Sequence, residues 1–233
     1  MAGTLYLGTS GFAYDMWKGV FYPETTKNRE MLPYYATRFN SVEINYTFRR
    51  FPSEETLTKW REAVPEGFRF TLKANQRITH KLKLREAADD TKAFVERART
   101  LGEKLGTVFF QCPPYLRFDT ELIESFLAVL PEGGHYAMEF RHASWEEARP
   151  LLEQAGVAWC TAETDAGEVG TVTFEPFGFL RLRKEEYSDA ELGEWAGRIR
   201  PALDAGTDVF CYLKHEDEGA APRLALRLEE LLG

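Results

Sequence analysis

The stretch YAMEFRHASW, residues 136–145, carries charge into what reads as a buried strand. Side chains alternate across an extended chain, so Met138 and Phe140 share one face while Glu139 and Arg141 share the other. Desolvating a lone charge is costly, so a charged face turned inward needs partners or a use.

Moving outward from this segment, short apolar runs recur along the whole chain. They are LYLG (5–8), SVEIN (41–45), RFTLKA (69–74), TVFFQ (107–111), YAMEF (136–140), VAWCTA (157–162), FLRLR (179–183) and VFCYLK (209–214). Helical stretches fit between most of them. In 84–101, Leu84, Ala87, Ala88, Phe94, Val95, Ala98 and Leu101 recur at three- and four-residue steps, the mark of one helical face. Ser144 with Glu147 and Ser188 with Glu191 match capping boxes; Ser53 and Asp119 are further N-cap candidates. Eight strand–helix alternations with no Ser/Gly-rich linker predict an α/β fold: one (β/α)8 barrel of the TIM type over residues 1–233. The unit between strands six and seven, residues 163–178, lacks a helical stripe and predicts an irregular loop. A doubly wound open sheet is the competing architecture, but no Gly-x-Gly-x-x-Gly or Walker sequence supports one, and LGTSG is too short a glycine signal.

The alternation seen in 136–142 sorts the other strands as well. Glu43 and Asn45 oppose Val42 and Ile44; Thr71 and Lys73 oppose Phe70 and Leu72; Arg181 and Arg183 oppose Leu180 and Leu182; Tyr212 and Lys214 share a face. With the apolar sets packed under helices, the polar sets point into the barrel near the strands' C-terminal ends, where barrel active sites are built. Lys73, Arg141, Arg181, Arg183 and Lys214 then outnumber Glu43 and Glu139. Such a mouth suits a phosphate or carboxylate, which arginine grips through its flat fork. The alternative is a structural salt-bridge network, for example Glu139 with Arg141 or Lys73, although buried pairs add little net stability over apolar packing.

The 233-residue chain is 44% hydrophobic and 28% charged, with a net charge of -8. That sign argues against nucleic acid as a non-specific partner, without excluding a basic cleft. Cys112, Cys160 and Cys211 are widely spaced and read as core residues rather than a disulfide framework or zinc site. The N-terminus MAGTLYLGTSG lacks the pattern of a signal peptide, and no run approaches membrane-spanning length, so a soluble cytoplasmic protein is the expectation.

Other residues with chemical potential surround the same mouth. His80 and His142 follow strands three and five and are candidate acids or bases, although His142 is also placed to bond its own turn. His135 precedes its strand and reads as structural; His215, beyond strand eight, is a weaker candidate. Glu43, Glu139, His142 and Glu163 or Asp165 offer oxygen and nitrogen ligands, but no metal-binding spacing is present and the nearby bases repel a cation. Tyr14, Trp17, Phe21 and Tyr22 either wall a pocket or plug the core, and Tyr46 and Phe48 lie beside Arg49 and Arg50. Gln111 precedes a stiff Pro-Pro exit; Trp159 and Trp195 read as packing residues.

The pieces GTSGFAYDMWKGVFYP, FNSVEINYTFRRFPS, FRFTLKANQRITHKLKL, FQCPP and MEFRHASW, in this order over roughly the first 145 residues, resemble the YecE-like domain-of-unknown-function family. The resemblance implies a (β/α)8 barrel and brings no substrate with it. This chain departs from that family's pattern at several places. It has Phe12 where Trp is usual and Arg49 where Tyr is usual. It reads LRLRKEEY in place of a His-Gly pair after strand seven, and CYLKHEDEG in place of an Asn-containing turn after strand eight. These departures imply a more cationic site, with a different ligand or lost activity.

The inward-facing charges lead to a first reading, an enzyme acting on a small anionic metabolite. Arg141, Arg181, Arg183 and Lys214 would hold the anion, with Asn45, Gln111, His142, Tyr14 and Trp17 lining the site. Glu43 or Glu139 would act as base and Lys73 or His80 as acid or electrophile, with neither cofactor nor metal required. A metal-dependent hydrolase or nuclease and a non-catalytic binding protein are the alternatives.

Overall fold

The computed structural model describes residues 1–164, 168–214 and 219–233. Of the candidates above, Asp165 and His215 lie outside the described residues. The strands are β1 (Leu5–Thr9), β2 (Ser41–Ile44), β3 (Arg69–Lys73), β4 (Leu105–Gln111), β5 (Tyr136–Glu139), β6 (Val157–Ala162), β7 (Gly178–Leu182) and β8 (Val209–Leu213). They form one eight-stranded sheet in the order β1-β8-β7-β6-β5-β4-β3-β2, every ladder parallel. This is the (β/α)8 barrel expected from the alternation.

The helices are α1 (Asn28–Tyr35), α2 (Tyr46–Arg49), α3 (Glu54–Glu62), α4 (Ala88–Ala98), α5 (Thr120–Leu127), α6 (Arg149–Gln154), α7 (Asp189–Asp204) and α8 (Ala220–Leu232). Between β6 and β7 no helix occurs among the described residues, only an isolated antiparallel bridge from Glu163 to Val169. Among the described residues no helix is long and apolar enough to cross a membrane.

The ends of the sheet, β1 and β2, meet without a ladder, and side chains stitch the seam. Asn40 accepts from Leu7 N at 2.9 Å through Oδ1 and donates to Leu5 O at 2.7 Å through Nδ2. Thr9 N donates to the Tyr35 hydroxyl at 2.8 Å, and that hydroxyl donates to Ser41 O at 3.1 Å. Higher up, Gly11 N donates to Glu43 O at 2.8 Å. The approach is so close that a Cβ on Gly8 would stand 1.9 Å from Ser41 O, so only glycine fits there.

Strand parity holds all round the barrel. Phe109, Ala137, Ala158, Cys160, Phe179, Phe210 and Tyr212 form an interior cluster, separate from the larger core between strands and helices. Tyr212 spans that interior, its hydroxyl 2.7 Å from Ser41 Oγ and 2.6 Å from Thr71 Oγ1. The charged layer sits above this plug. All three cysteines are buried and unbridged.

Two local expectations are corrected. The helix expected from residue 84 begins at Ala88, because Lys83, Leu84 and Glu86 take positive φ values of 54°, 67° and 48°. Leu84 and Ala87 are nevertheless buried, so their apolar spacing reflects burial in a turn. The 3-10 helix Ala143–Ala148 is capped by His142 rather than Ser144, whose Oγ accepts instead from Phe118 N at 2.9 Å. Ser53, Asp119 and Ser188 cap their helices as expected.

Candidate functional site

The upper layer of the barrel is built around Arg181, 2% exposed at the end of β7. Its Nε and Nη2 donate to Glu43 Oε2 and Oε1 at 2.8 and 3.0 Å, and its Nη1 donates to Glu139 Oε2 at 2.6 Å. Glu43 Oε1 also accepts from Ser10 Oγ at 2.8 Å and Asn45 Nδ2 at 3.0 Å. Glu139 Oε1 accepts from Gln111 Nε2 at 2.8 Å and Arg141 Nε at 2.9 Å. Gln111 Oε1 in turn accepts from Lys73 Nζ at 2.8 Å, which lies 4.5 Å from the centre of the Phe48 ring. Five strands therefore contribute to one continuous network. Three cations (Lys73, Arg141, Arg181) against two anions (Glu43, Glu139) leave it one positive charge in excess.

Burial and neighbouring charges set the protonation of this layer. Burial alone would raise the Glu139 carboxyl, but Arg181, Arg141 and the Gln111 amide overcome it and hold the group at about 2. Desolvation, reinforced by Arg181, lowers the Lys73 ammonium to about 8, within reach of proton transfer near neutral pH. His80 is also lowered, by desolvation and then by the charges of Lys73 and Arg141. It sits on the π-helical turn Arg77–Lys81, its ring 5.0 Å from Phe48 and its Nδ1 2.8 Å from Thr79 Oγ1.

A cavity of about 460 Å³ opens over the end of β6. Glu139, Arg141, Cys160, Thr161, Glu163 and Arg183 are among its lining. Arg141 commits only Nε to Glu139, and its side chain is 37% exposed. Thr161 Oγ1 is buried with no hydrogen-bond partner among the described residues. Glu163, which the sequence suggested only as a metal ligand, organises the rim. It accepts from Trp195 Nε1 at 2.9 Å, Arg183 N at 2.7 Å and the Tyr187 hydroxyl. Its role depends on Trp195 of α7 reaching a residue 32 positions earlier in the chain, for which local sequence carries no signal.

Several candidates stand elsewhere than expected. Arg181 is not a mouth-facing anion holder: two carboxylates surround it beneath the opening. Glu43 and Glu139 are correspondingly ill suited as free bases, being buried and ion-paired, with Glu139 held far below neutral pH. Trp17 is fully buried and packs on Tyr14, Phe21 and Tyr22, so it plugs the core rather than walling a pocket. Tyr14 donates to Ser10 O at 2.8 Å and, like Asn45, lines a different groove beside the barrel. His142 Nδ1 accepts from Ser144 N at 3.2 Å, the turn-bonding alternative. Lys214 follows β8, half-buried, and donates its backbone N–H to Leu182 O at 2.9 Å. Among the described residues no cluster of three or more His, Cys, Asp or Glu is placed to hold an ion, and Glu43 and Glu139, weighed as possible ligands, converge on Arg181 instead.

Fold and mouth together define a (β/α)8-barrel protein with an ion-paired upper layer. The chain belongs to the family described as Protein of unknown function DUF72, whose model matches residues 6–233. It is 34% identical to UPF0759 protein YecE of Escherichia coli strain K12 over 131 residues, which span 53% of this chain and 48% of that relative. The matched segment thus covers about half of the E. coli protein's length. Similarity to UPF0759 protein YunF of Bacillus subtilis is lower, at 25% identity, but covers 98% of this chain and 94% of that one. The crystal structure of a DUF72 family protein from Thermotoga maritima superposes with a TM-score of 0.86 at 25% identity, covering 98% of this chain and 99% of that chain.

Proposed function

We propose that this barrel is an enzyme acting on a small phosphorylated or carboxylated metabolite, held at the mouth between Arg141 and Arg183. The observation that carries this reading is that both arginines line one cavity directly above Glu139. Arg181 is already matched by Glu43 and Glu139, and the other acids of the cavity are engaged as well, Glu146 by Arg149 and Glu163 by Trp195 and Tyr187, which leaves Arg141 and Arg183 as the bases lining it. A guanidinium whose terminal nitrogens face a cavity offers two parallel donors to an oxyanion.

Lys73 is the residue we assign to proton transfer. Its lowered ammonium donates below about 8 and accepts above it, and its link through Gln111 to Glu139 fixes where the amine sits. Proton movement beside a carbonyl, as in an isomerase or lyase, fits such a group without a cofactor. The test is a thermal-shift screen of phosphorylated and carboxylated metabolites, with and without divalent metals. Stabilisation of the wild type that vanishes in Arg141→Ala supports the reading, and equal stabilisation of both proteins overturns it.

A non-catalytic binding protein is the second reading. It is favoured by one observation, that both interior carboxylates are engaged by Arg181. Turnover of any stabilising metabolite, lost in Lys73→Met while binding survives, separates the two.

A further inference from the structure

A second concavity, about 800 Å³, lies beside the barrel, between the loop after β1 and the segment α2–α3, with one wall from α4. Phe12, Tyr46, Phe51 and Trp60 line it together with Arg50 and Arg97, and no carboxylate does. In a chain of net charge -8, a pocket lined by guanidiniums alone among charged groups is a local reversal of sign. The acids at the start of α3 lie outside the lining, and Glu55 is turned to Lys59 at 2.6 Å.

Two of the walls are packed against neighbouring rings. Phe51 stacks on Phe94 at 4.3 Å, and the Arg97 Cζ lies 4.9 Å from the Phe51 centroid. Trp60 stacks at 6.1 Å on Phe70 of β3. Tyr46, by contrast, is 54% exposed, an aromatic ring left at the rim. Neither Arg50 nor Arg97 forms an ion pair with a described residue.

We infer that this groove binds a planar aromatic ring bearing an anionic group. Aromatic faces take up a flat ring by offset or edge contact, and arginine both stacks on rings and pairs with phosphate or carboxylate. The volume falls within the range of small-ligand pockets, about 300–1,000 Å³. Asn45 joins the groove to the barrel: it lines this space and donates to Glu43. The inference does not depend on the proposed chemistry at the mouth, because the groove's arginines and aromatics are not in that network.

The experiment titrates full-length protein with adenosine 5′-monophosphate, adenosine and inorganic phosphate, following tryptophan fluorescence and calorimetry. The nucleotide is expected to quench Trp60 and to bind at least tenfold tighter than adenosine, with inorganic phosphate failing to displace it. Arg50→Ala/Arg97→Ala should weaken the nucleotide at least tenfold at unchanged melting temperature, whereas Arg141→Ala should leave it untouched. Trp60→Phe should abolish the quenching and keep the calorimetric signal. Loss of binding in Arg141→Ala but not in Arg50→Ala/Arg97→Ala would move the ligand to the mouth and overturn the inference. So would adenosine binding as tightly as the nucleotide, or absence of binding by both the nucleotide and phenyl phosphate at millimolar concentration.

Discussion

Arg181 and Glu43, 138 residues apart in the chain, meet fork to fork inside the barrel, Nε to Oε2 at 2.8 Å and Nη2 to Oε1 at 3.0 Å. The pair joins β7 to β2 across the interior, and Glu139 completes it from β5.

Removing the cation at the centre of this network leaves two buried carboxylates without their partner. Breaking a buried ion pair from one side costs about 3–5 kcal/mol. Arg181→Met is therefore expected to lose stability of that order in urea unfolding at neutral pH. Arg141→Ala, which removes a half-exposed partner of Glu139, should lose no more than about 1 kcal/mol. Equal losses for the two variants would contradict the assigned hierarchy.

Acid should unpick the same layer through Glu139. Its carboxyl is held at about 2 in the folded protein, below the unfolded glutamate value of about 4.3. Because the folded value is the depressed one, the stabilisation is complete above the unfolded value and is lost as pH falls from there toward about 2. Glu139→Gln, which mimics the protonated group, should be less stable than wild type at pH 7, and the gap should narrow progressively below about pH 4. Unfolding curves collected across that range check this, and a constant gap would argue against it.

Lys73 should titrate early. An exposed lysine loses its proton near 10.4, whereas burial and Arg181 bring this one to about 8. Competitive acetylation read by mass spectrometry should show Lys73 reactivity rising with a midpoint near 8. The midpoint should fall further in Glu139→Gln, since Glu139 is among the charges that hold it up. The depressed value also has a stability consequence: between about 8 and 10.4 the unfolded chain keeps a proton the folded one has released, so this group favours folding increasingly as pH rises. A midpoint near 10 would remove Lys73 from the proposed proton transfer.

Much of this layer was legible in the sequence because strand alternation is a local property. Parity alone placed Glu43, Lys73, Glu139 and Arg181 on the inner face, and the structure has them there. Partner choice was not legible. Arg181 reads as an anion holder until closure of the barrel brings Glu43 opposite it. Trp17 reads equally as wall or plug, and only the packing of Phe21 and Tyr22 around it decides for plug. The groove of Phe51, Trp60 and Arg97 went unseen because each looks, in isolation, like an ordinary residue of an amphipathic helix or its flanking turn.

The seam between β1 and β2 gives a prediction about the fold itself. Tyr35→Phe strands Thr9 N, a buried donor, without the hydroxyl it bonds at 2.8 Å. An unsatisfied buried group costs about 1–3 kcal/mol. Gly8→Ala should be more damaging, because its Cβ would collide with the Ser41 carbonyl at 1.9 Å. Thermal unfolding of the two variants should rank them in that order; Gly8→Ala melting at or above Tyr35→Phe would mean the seam opens more easily than its close approach implies.

The mouth itself is tested by titrating inorganic phosphate into wild type and Arg141→Ala/Arg183→Ala while following the melting temperature. Phosphate should raise the wild-type value in a saturable manner and leave the double variant unmoved, with both proteins folded in its absence. An identical rise in both would show that no anion is held between these two arginines.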